Sequence, residues 1–244
     1  MLITGGSRGI GAAVARRAAR AGYDVAISFN SNRHAADSVI TEIEALGRRA
    51  IAVRCDVASE SDVVGFFDQT VESLGSLDAV IVNAGILFER CRVEDLTVAR
   101  IERVMAVNVT GAFVTAREAA RRMAIDNGGN GGSIVIVSSA ASRLGSANEF
   151  VDYAASKGAM DTLTIGLANE LATRGVRVNA VRPGLIHTDM HLDSGVDNRI
   201  EELVGGVPMQ RGGTADETAN PIVWLCSQEA AYLTGTHLDI SGGR

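Results

Sequence analysis

Tyr153 and Lys157 are the residues of this sequence whose types and spacing most directly suggest chemistry. They are four residues apart in a segment with helical periodicity, so their side chains should lie on one face of a helix. A phenol with its ordinary pKa of about 10 is a poor acid–base catalyst at neutral pH, and a neighbouring ammonium group should lower that pKa. The pair therefore predicts general acid–base catalysis at an oxygen atom. Taken alone, so short a motif also fits a packing tyrosine beside a solvated lysine.

A glycine-rich turn near the amino terminus, between a short apolar run and an alanine-rich helical segment, suggests a phosphate-binding loop. Glycines let the backbone approach a pyrophosphate, and the first N–H groups of the next helix favour its negative charge. The spacing is Gly-x-x-x-Gly-x-Gly, and the lack of a following Gly-Lys-Ser/Thr excludes a Walker loop. A plain strand-to-helix turn is the alternative. The residues of this turn predicted to contact a cofactor are Gly5, Ser7, Arg8, Gly9, Ile10 and Gly11.

The end of the second predicted strand bears on which dinucleotide would bind. Folds that select NAD place an acidic residue about 20 residues after the glycines, where it binds the ribose hydroxyl groups. This sequence has Asn30 there and no acid, while Arg8 and Arg33 could pair with a 2′-phosphate. Either arginine could instead be a solvated surface residue. The sequence therefore favours NADP, with NAD still possible.

The elements that must position these residues alternate along the chain. Such alternation predicts a parallel sheet, because each return crossover needs a helix on one face of the sheet. We therefore expect an α/β fold: a single-domain, Rossmann-like, doubly wound parallel sheet with helices on both faces and its ligand beyond the carboxyl ends of the strands. The predicted strands are residues 2–4, 24–29, 50–54, 78–82, 133–137, 176–181 and 237–240, and the predicted helices are residues 12–21, 35–46, 62–74, 99–123, 151–174 and 216–228.

Composition narrows the classes of function. The chain has 244 residues, 46% of them hydrophobic, and a formal net charge of −6, which argues against nucleic acid as the ligand. It has no apolar run of the about 20 residues that a membrane helix needs and no signal-like start. Cys55, Cys91 and Cys226 form no CxxC pair, so neither disulfides nor a zinc site is expected, and a reducing cytoplasm fits. We expect one catalytic domain over residues 1–244.

Further motifs lie where predicted strands end, and the set resembles the short-chain dehydrogenase/reductase family over essentially the whole chain. The glycine turn is similar to the family's Thr-Gly-x-x-x-Gly-x-Gly, and Tyr153 with Lys157 is similar to its Tyr-x-x-x-Lys pair. Within the family, the sequence looks most like 3-oxoacyl-[acyl-carrier-protein] reductases and glucose-dehydrogenase-like enzymes. The other matching segments are Asp56-Val57 after the third strand, Asn83-Ala84-Gly85 after the fourth, and Pro183-Gly184 with Ile186 and Thr188 after the sixth.

The resemblance implies a role for each of these residues. Ser139 would hold the substrate oxygen, with Ser138 facing away and Ser142 a lesser candidate. Asn108 would complete a catalytic tetrad by anchoring a water that links Lys157 to solvent. Lys157 would also bond the nicotinamide ribose. In the same way, Asp56 and Val57 would lie at the adenine, Asn83, Ala84 and Gly85 beside the cofactor, and Pro183, Gly184, Ile186 and Thr188 at the nicotinamide amide.

These roles together predict an NADP(H)-dependent oxidoreductase that interconverts a carbonyl and an alcohol, with Tyr153 as general acid and base on a small-molecule substrate. A 3-oxoacyl-[acyl-carrier-protein] reductase of fatty-acid synthesis and an NAD-dependent sugar or polyol dehydrogenase are the alternatives. An epimerase or dehydratase would have a differently spaced glycine motif and a carboxyl-terminal substrate domain. A cofactor-sensing protein without catalysis should lack Tyr153 or Lys157.

The resemblance also implies a mobile lid over the substrate at about residues 187–211. His187, Asp189 and His191 within it could suggest a metal site, but no further ligand converges in the sequence and we expect none. The predicted helices 99–123 and 151–174 are apolar on more than one face and need further burial. The family pairs its subunits through these two helices, which implies a homotetramer or homodimer.

Overall fold

The computed structural model describes residues 1–188, 190 and 199–244 of the protein. Its strands are β1 Leu2–Ile3, β2 Val25–Phe29, β3 Ala50–Arg54, β4 Ala79–Val82, β5 Gly132–Val137, β6 Val176–Pro183, β7 Ile186–His187, β8 Gly213–Thr214 and β9 His237–Ile240. Its α-helices are α1 Gly9–Arg20, α2 Arg33–Ala45, α3 Glu60–Leu74, α4 Val98–Met105, α5 Gly111–Met123, α6 Ala141–Leu144, α7 Val151–Leu171, α8 Arg199–Leu203 and α9 Ala215–Leu225.

Seven strands form one parallel sheet in the order β3-β2-β1-β4-β5-β6-β9. Leu2 of β1 pairs with Ala26 on one side and with Val80 on the other, so the strand order reverses between β1 and β4. In open sheets of this kind a crevice for ligands forms beyond the carboxyl ends of the strands at that reversal. The predicted single-domain, doubly wound α/β fold is confirmed.

Alternate residues of each strand point to opposite faces, and each face carries its own apolar layer. In β4, Ala79 and Ile81 belong to the cluster that packs α1, α2 and α9, whereas Val80 and Val82 belong to the cluster that packs α3, α5 and α7. The sheet is therefore covered on both sides, which is why its strands are nearly continuous apolar runs.

The structure differs from the sequence prediction in the middle of the chain. The helix expected over residues 99–123 is interrupted by a π-helical segment, Ala106–Thr110, between α4 and α5. Such segments insert a residue into the helical ladder and are frequent at functional sites. Here the segment carries the buried Asn108. Within the part of the chain that the structure describes, no helix is long and apolar enough to cross a membrane.

The predicted lid is described only in part. Its first two residues, His187 and Thr188, and the stretch from Arg199 to Arg211 belong to the described structure, as does Met190. Asp189 and His191, which with His187 form the metal site considered from the sequence, lie outside the described residues.

Candidate active site

A cleft of about 1000 Å³ opens at the carboxyl ends of the strands, beside the β1/β4 reversal. Among the catalytic and cofactor-binding residues proposed from the sequence, Asn108, Arg33 and the lesser candidate Ser142 do not line it. The lining residues that were predicted are Gly5, Ser7, Arg8, Gly9, Ile10, Gly11, Asn30, Asp56, Val57, Asn83, Ala84, Gly85, Ser139, Tyr153, Lys157, Pro183, Gly184, Ile186 and Thr188.

The glycine turn forms one wall of this cleft, and two of its glycines are required by geometry. Gly5 has a φ of +65°, which side chains rarely adopt. A Cβ atom on Gly11 would lie 2.3 Å from the carbonyl oxygen of Gly5, so no side chain fits there. Helix α1 begins at Gly9, and its first N–H groups have no intrahelical partner. The turn thus presents bare backbone donors to the cleft.

The turn is fastened to the end of β4 by hydrogen bonds between Thr4 and Asn83. The Thr4 hydroxyl oxygen accepts from the backbone N–H groups of Asn83 and Ala84, at 3.0 and 3.1 Å. The Asn83 side-chain amide in turn donates to the carbonyl groups of Thr4 and Gly5, at 2.9 and 3.0 Å. Asn83 therefore has a structural part in shaping the cleft besides lining it.

Of the two arginines that the sequence offers for a 2′-phosphate, Arg8 and Arg33, the structure places only Arg8 at the cleft. Arg8 lines the cleft, as does Asn30 at the end of β2. Arg33 does not, because its guanidinium forms an ion pair with Asp37 at 2.8 Å and stacks over Phe29. The residues of the β2 end that line the cleft, Ser28 to Asn32, include no carboxylate.

Asp56 lies on the same side of the cleft as the β2 end, after β3. One of its carboxylate oxygens accepts from the Ala58 N–H at 3.0 Å, and the other from Arg103 at 3.0 Å. Arg103, on α4, also lines the cleft and was not anticipated from the sequence. The sequence signal for it is weak, because the two residues are distant in the chain.

Ser139 and Tyr153 meet on the other side of the cleft. The Ser139 hydroxyl is close enough to the Tyr153 phenol to lower its pKa, and the Ser139 oxygen accepts from the Ala141 N–H at 3.1 Å. The Ser138 hydroxyl points the other way, within 2.7 Å of the Asp161 carboxylate, and is buried. The Ser142 hydroxyl donates to the Ser139 carbonyl at 2.8 Å. Of Ser138, Ser139 and Ser142, Ser139 is the serine whose hydroxyl affects the pKa of Tyr153.

The pKa of Tyr153 is raised, whereas the sequence predicted that Lys157 would lower it. Burial raises this pKa above its ordinary value, while the hydrogen bond with Ser139 and the positive charge of Arg199 oppose the rise. Lys157 lies 5.6 Å from the centre of the tyrosine ring and is bonded elsewhere, so the prediction is wrong for this structure. At neutral pH Tyr153 is therefore protonated, which is the form that can donate a proton.

Lys157 is the only lysine of the chain. It is 5% exposed, and its ammonium group donates to the Val137 carbonyl at the end of β5 at 2.7 Å. Burial lowers the pKa of Lys157 to about 8, and the negative charge of Asp161, one turn further along α7, limits the fall. Since burial disfavours the charged form, this amine gives up its proton far more readily than a surface lysine.

Asn108 lies behind the cleft and holds the loop after β4. Its side-chain oxygen accepts from the Ile86 N–H at 2.8 Å, and its amide nitrogen donates to the Ile86 carbonyl at 3.0 Å and to Ser156 at 3.1 Å. A Cβ atom built on Gly85 would lie 3.4 Å from the Asn108 oxygen and 3.6 Å from the Lys157 nitrogen. Asn108 is therefore near the lysine, and its water-anchoring role stays a prediction.

An ion pair that the sequence did not reveal fixes the start of the helix that carries Tyr153. Arg100 of α4 donates to both oxygens of Asp152, at 2.7 and 3.2 Å, and Asp152 is buried. Arg100 also donates to the Glu89 carbonyl at 2.7 Å. An acid directly before Tyr153 is the only sequence signal of this contact, because its partner is 52 residues away.

We predict that Lys157 titrates at about pH 8 rather than near the ordinary lysine value of about 10.4. Because the chain contains one lysine, protein labelled with ¹³C at the lysine Cε gives one resonance whose shift can be followed with pH. Asp161→Asn should move the midpoint further down, since it removes the nearby negative charge. Lys157→Met, which should remove the resonance, confirms the assignment, and a wild-type midpoint near pH 10 would contradict the prediction.

The chain is similar to known oxidoreductases over nearly its whole length. Residues 5–244 match the family model described as enoyl-(acyl carrier protein) reductase. An uncharacterized oxidoreductase of Escherichia coli, YgfF, is 52% identical over 243 residues, covering 100% of this chain and 98% of the relative. An L-rhamnose 1-dehydrogenase (NAD(P)(+)) of a Sphingomonas species is 39% identical, covering 100% and 94%. A 3-oxoacyl-[acyl-carrier-protein] reductase of Staphylococcus aureus is 33% identical, covering 99% and 96%.

Solved structures agree with these sequence relatives. A short-chain dehydrogenase of Burkholderia cenocepacia in complex with NADP is 37% identical, with a TM-score of 0.91 over 99% of this chain and 96% of that one. A 3-ketoacyl-(acyl-carrier-protein) reductase of Brucella melitensis complexed with NADH is 30% identical, with a TM-score of 0.91 over 100% and 96%. The glycine turn, the parallel sheet and the matches over the whole chain lead to one conclusion: the chain belongs to the short-chain dehydrogenase/reductase family of oxidoreductases.

Proposed function

We propose that this oxidoreductase interconverts a carbonyl and an alcohol with NADP(H), using Tyr153 as the general acid and base. The observation that carries the proposal is the meeting of Ser139, Tyr153 and Lys157 in the cleft that the glycine turn also lines. A proton donor, a hydroxyl for the substrate oxygen and a buried amine thus lie in one cavity with bare backbone donors suited to a pyrophosphate.

The proton transfer follows from the protonated state of Tyr153. In the reducing direction hydride adds to the carbonyl carbon, the electron pair of the C=O bond moves to oxygen, and the Tyr153 hydroxyl gives that oxygen its proton. Ser139 donates a hydrogen bond to the same oxygen and stabilises its developing charge. In the oxidising direction Tyr153 must first lose its own proton, and the phenolate then takes the substrate's hydroxyl proton as hydride leaves the carbon.

Lys157 and Asn108 act behind Tyr153. After a reduction the phenolate must regain a proton, and an amine with a pKa of about 8 can supply one near neutral pH. Lys157 would also bond the nicotinamide ribose, and Asn108 would anchor the water that connects the lysine with solvent. The short distances of both side chains from Gly85 support this arrangement.

The cleft fits a dinucleotide with a 2′-phosphate. The glycine turn lines the cleft with backbone free of side chains at Gly5, Gly9 and Gly11, which suits the close approach of a pyrophosphate. The end of β2 has no acid to repel a phosphate, and Arg8 and Asn30 line the cleft there. Arg33 would first have to leave Asp37. When bound, NADP supplies or accepts the hydride. The NADP complex of the Burkholderia cenocepacia relative supports this choice.

The substrate that we propose is a small or medium carbonyl compound or alcohol. Docking an acidic carrier protein needs a basic patch on the enzyme. Three arginines that could form one, Arg121 and Arg122 of α5 and Arg174 after α7, are paired within the chain. Arg174 donates to both oxygens of Asp126 at 2.9 Å. Arg121 bonds to Glu118, and Arg122 bonds to Glu118 and to Asp68. The similarity to L-rhamnose 1-dehydrogenase makes a sugar or polyol the second candidate class.

We further propose that copies of this chain associate through α5 and α7 as a homodimer or homotetramer. A groove runs between these helices, with Ala116, Leu163 and Gly166 among its lining residues. Phe113 in the groove is 49% exposed, and Ile165 on α7 is 50% exposed. An apolar surface of this kind on two neighbouring helices is typical of a subunit interface.

We expect Tyr153→Phe to reduce turnover by at least about 10²-fold, since it removes the proton donor and keeps the ring. NADPH binding, measured by cofactor fluorescence, should persist. Tyr232→Phe, at a fully exposed tyrosine, is the matched control and should retain wild-type turnover. Near-normal turnover of the Tyr153 variant would rule out the proposed mechanism.

Asn30→Asp should shift the preference from NADPH toward NADH, because the new carboxylate repels a 2′-phosphate and accepts from a ribose hydroxyl. The measurement is the ratio of kcat/KM for the two cofactors. Asn130→Asp, at an exposed position before β5, controls for the added charge. Wild-type protein that binds NADH more tightly than NADPH would refute the cofactor assignment.

Gly166→Arg should disrupt the assembly, measured by light scattering coupled to size exclusion. A Cβ atom on Gly166 meets nothing within 4 Å in its own chain, so the arginine would interfere only with a second copy. Gly65→Arg on α3 also meets nothing within 4 Å and is the matched control, expected to assemble like the wild type. A monomeric wild-type protein at micromolar concentration would contradict the proposal.

The preference for free substrates can be measured directly. We expect kcat/KM for a 3-oxoacyl group on its carrier protein to differ little from that on a small thioester mimic, with ketones or sugars turned over better than either. Charges at the edge of a binding surface affect mainly the rate at which two proteins meet. In this chain Arg121, Arg122 and Arg174 are already paired with acidic residues. A large preference for the carrier-bound form that is lost in Arg174→Glu would restore the fatty-acid reductase alternative.

A further inference from the structure

Arg199, at the start of α8, has an unusual position for a charged side chain. It is 9% exposed, and it lines the same cleft as Tyr153. Its guanidinium stacks over the ring of Phe150 at 4.6 Å, and Nη2 donates to the Glu149 carboxylate at 2.9 Å. Its Nη1 is buried and has no hydrogen-bond partner in the structure as described.

An unpaired donor on a buried guanidinium needs an explanation, because buried polar groups in native proteins nearly always have a partner. Stacking on Phe150 and the bond to Glu149 fix the plane of the guanidinium, so Nη1 has a defined place and is not free to turn toward solvent. The charge of Arg199 also acts on the hydroxyl group of Tyr153. The spare donor therefore belongs to the reacting end of the cleft.

The surrounding charges indicate what kind of group would use this donor. Glu149 also lines the cleft, and its other carboxylate oxygen pairs with Arg90 at 2.9 Å. Arg90 pairs with Glu202 at 3.1 Å. Two arginines and two glutamates thus balance, and the cluster has no net positive charge with which to hold a carboxylate or phosphate. A neutral ligand fits better.

A hydroxyl group is the neutral group that both donates and accepts a hydrogen bond. Placed between Arg199 and Glu149, it would accept from the unpaired Nη1 and donate to the carboxylate. A second hydroxyl on the neighbouring carbon could bond the same pair. A hydrocarbon placed there would satisfy neither group.

We propose that Arg199 and Glu149 form a hydroxyl-binding subsite, and that the substrate is a polyhydroxylated aldehyde or alcohol of the sugar class. The inference rests on the proposed function, in which Tyr153 and Ser139 hold the reacting oxygen. The subsite holds hydroxyl groups further along the substrate and so selects sugars over simple carbonyl compounds.

The test uses substrates that differ only in hydroxyl groups, with the full-length protein. Glyceraldehyde and propanal have the same three-carbon chain and are compared in reduction with NADPH. Inositol and cyclohexanol, which share a six-carbon ring, are compared in oxidation with NADP. The wild type should have at least about 10-fold higher kcat/KM for the hydroxylated member of each pair, as one hydrogen bond to a charged group can supply.

Arg199→Met keeps an unbranched side chain over Phe150 and removes the donor. We expect kcat/KM for the hydroxylated member to fall by about 10- to 100-fold more than kcat/KM for propanal, with the excess mainly in KM, because the lost charge acts on Tyr153 for both substrates alike. Arg199→Lys retains the charge without the forked donors and should lose most of the preference as well. Arg92→Met, at an exposed arginine paired only with Glu94 among the described residues, is the matched control and should behave like the wild type.

The outcomes separate this inference from the proposed function. Equal losses on both members of a pair, or no loss on either, would overturn the subsite. So would a wild type that reduces propanal as well as glyceraldehyde, although the proposed function would then stand. Protein that binds NADPH and turns over none of the four compounds would overturn both. If Arg199→Met fails to bind NADPH, Glu149→Gln decides, because it keeps the shape and should lower the preference for glyceraldehyde at least severalfold.

Discussion

Four hydrogen bonds across the β1/β4 reversal hold the cleft in shape. Thr4 and Gly5 follow the two-residue strand β1, and Asn83 follows β4, so neither segment has a long ladder of strand hydrogen bonds to fix it. The Asn83 side-chain amide donates hydrogen bonds to the carbonyl groups of Thr4 and Gly5. The Thr4 hydroxyl oxygen accepts hydrogen bonds from the N–H groups of Asn83 and Ala84. This satisfies backbone groups that would otherwise be buried without partners. The glycine turn, the start of α1 and the loop after β4 all depend on it.

The reacting side of the cleft depends on buried polar groups below α7. Lys157 donates to the last carbonyl of β5, and one turn later Asp161 bonds to Ser138 and to Arg182. Together these contacts join α7 to the ends of β5 and β6. They also place the buried amine of Lys157 near the half-buried carboxylate of Asp161. Desolvation lowers the pKa of Lys157 and the carboxylate limits the fall, so the same packing that positions the lysine sets its proton affinity.

Charge around the mouth of the cleft is balanced locally. Arg100 is bound by Asp152, and Arg199 is bound by Glu149. Paired charges create little field at a distance, so they steer a charged macromolecule weakly. They still offer hydrogen bonds at close range, which is the way a small polar ligand is recognised. The charge pattern and the unpaired donor of Arg199 therefore favour the same class of substrate.

The sequence determined the fold class, and most of the site residues proposed from it line the cleft. Alternating apolar runs and helical segments leave few arrangements other than a parallel sheet. The glycine turn, Asn83 and Ser139 each follow the end of a strand. The sequence predicted one continuous helix over residues 99–123 and did not predict its interruption by the π-helical segment Ala106–Thr110. Propensity does not encode it, because it depends on how Asn108 bonds to Ile86.

Only the tertiary structure decided which charges meet. Arg33 forms an ion pair with Asp37 and does not line the cleft. Arg100 pairs with Asp152, 52 residues away in the chain, and Arg199 pairs with Glu149, 50 residues away. The raised pKa of Tyr153 was likewise hidden, since spacing on a helix puts Lys157 on the same face but does not reveal how deeply the phenol is buried. Local spacing specifies which side chains share an element, whereas desolvation and long-range pairing depend on what packs against them.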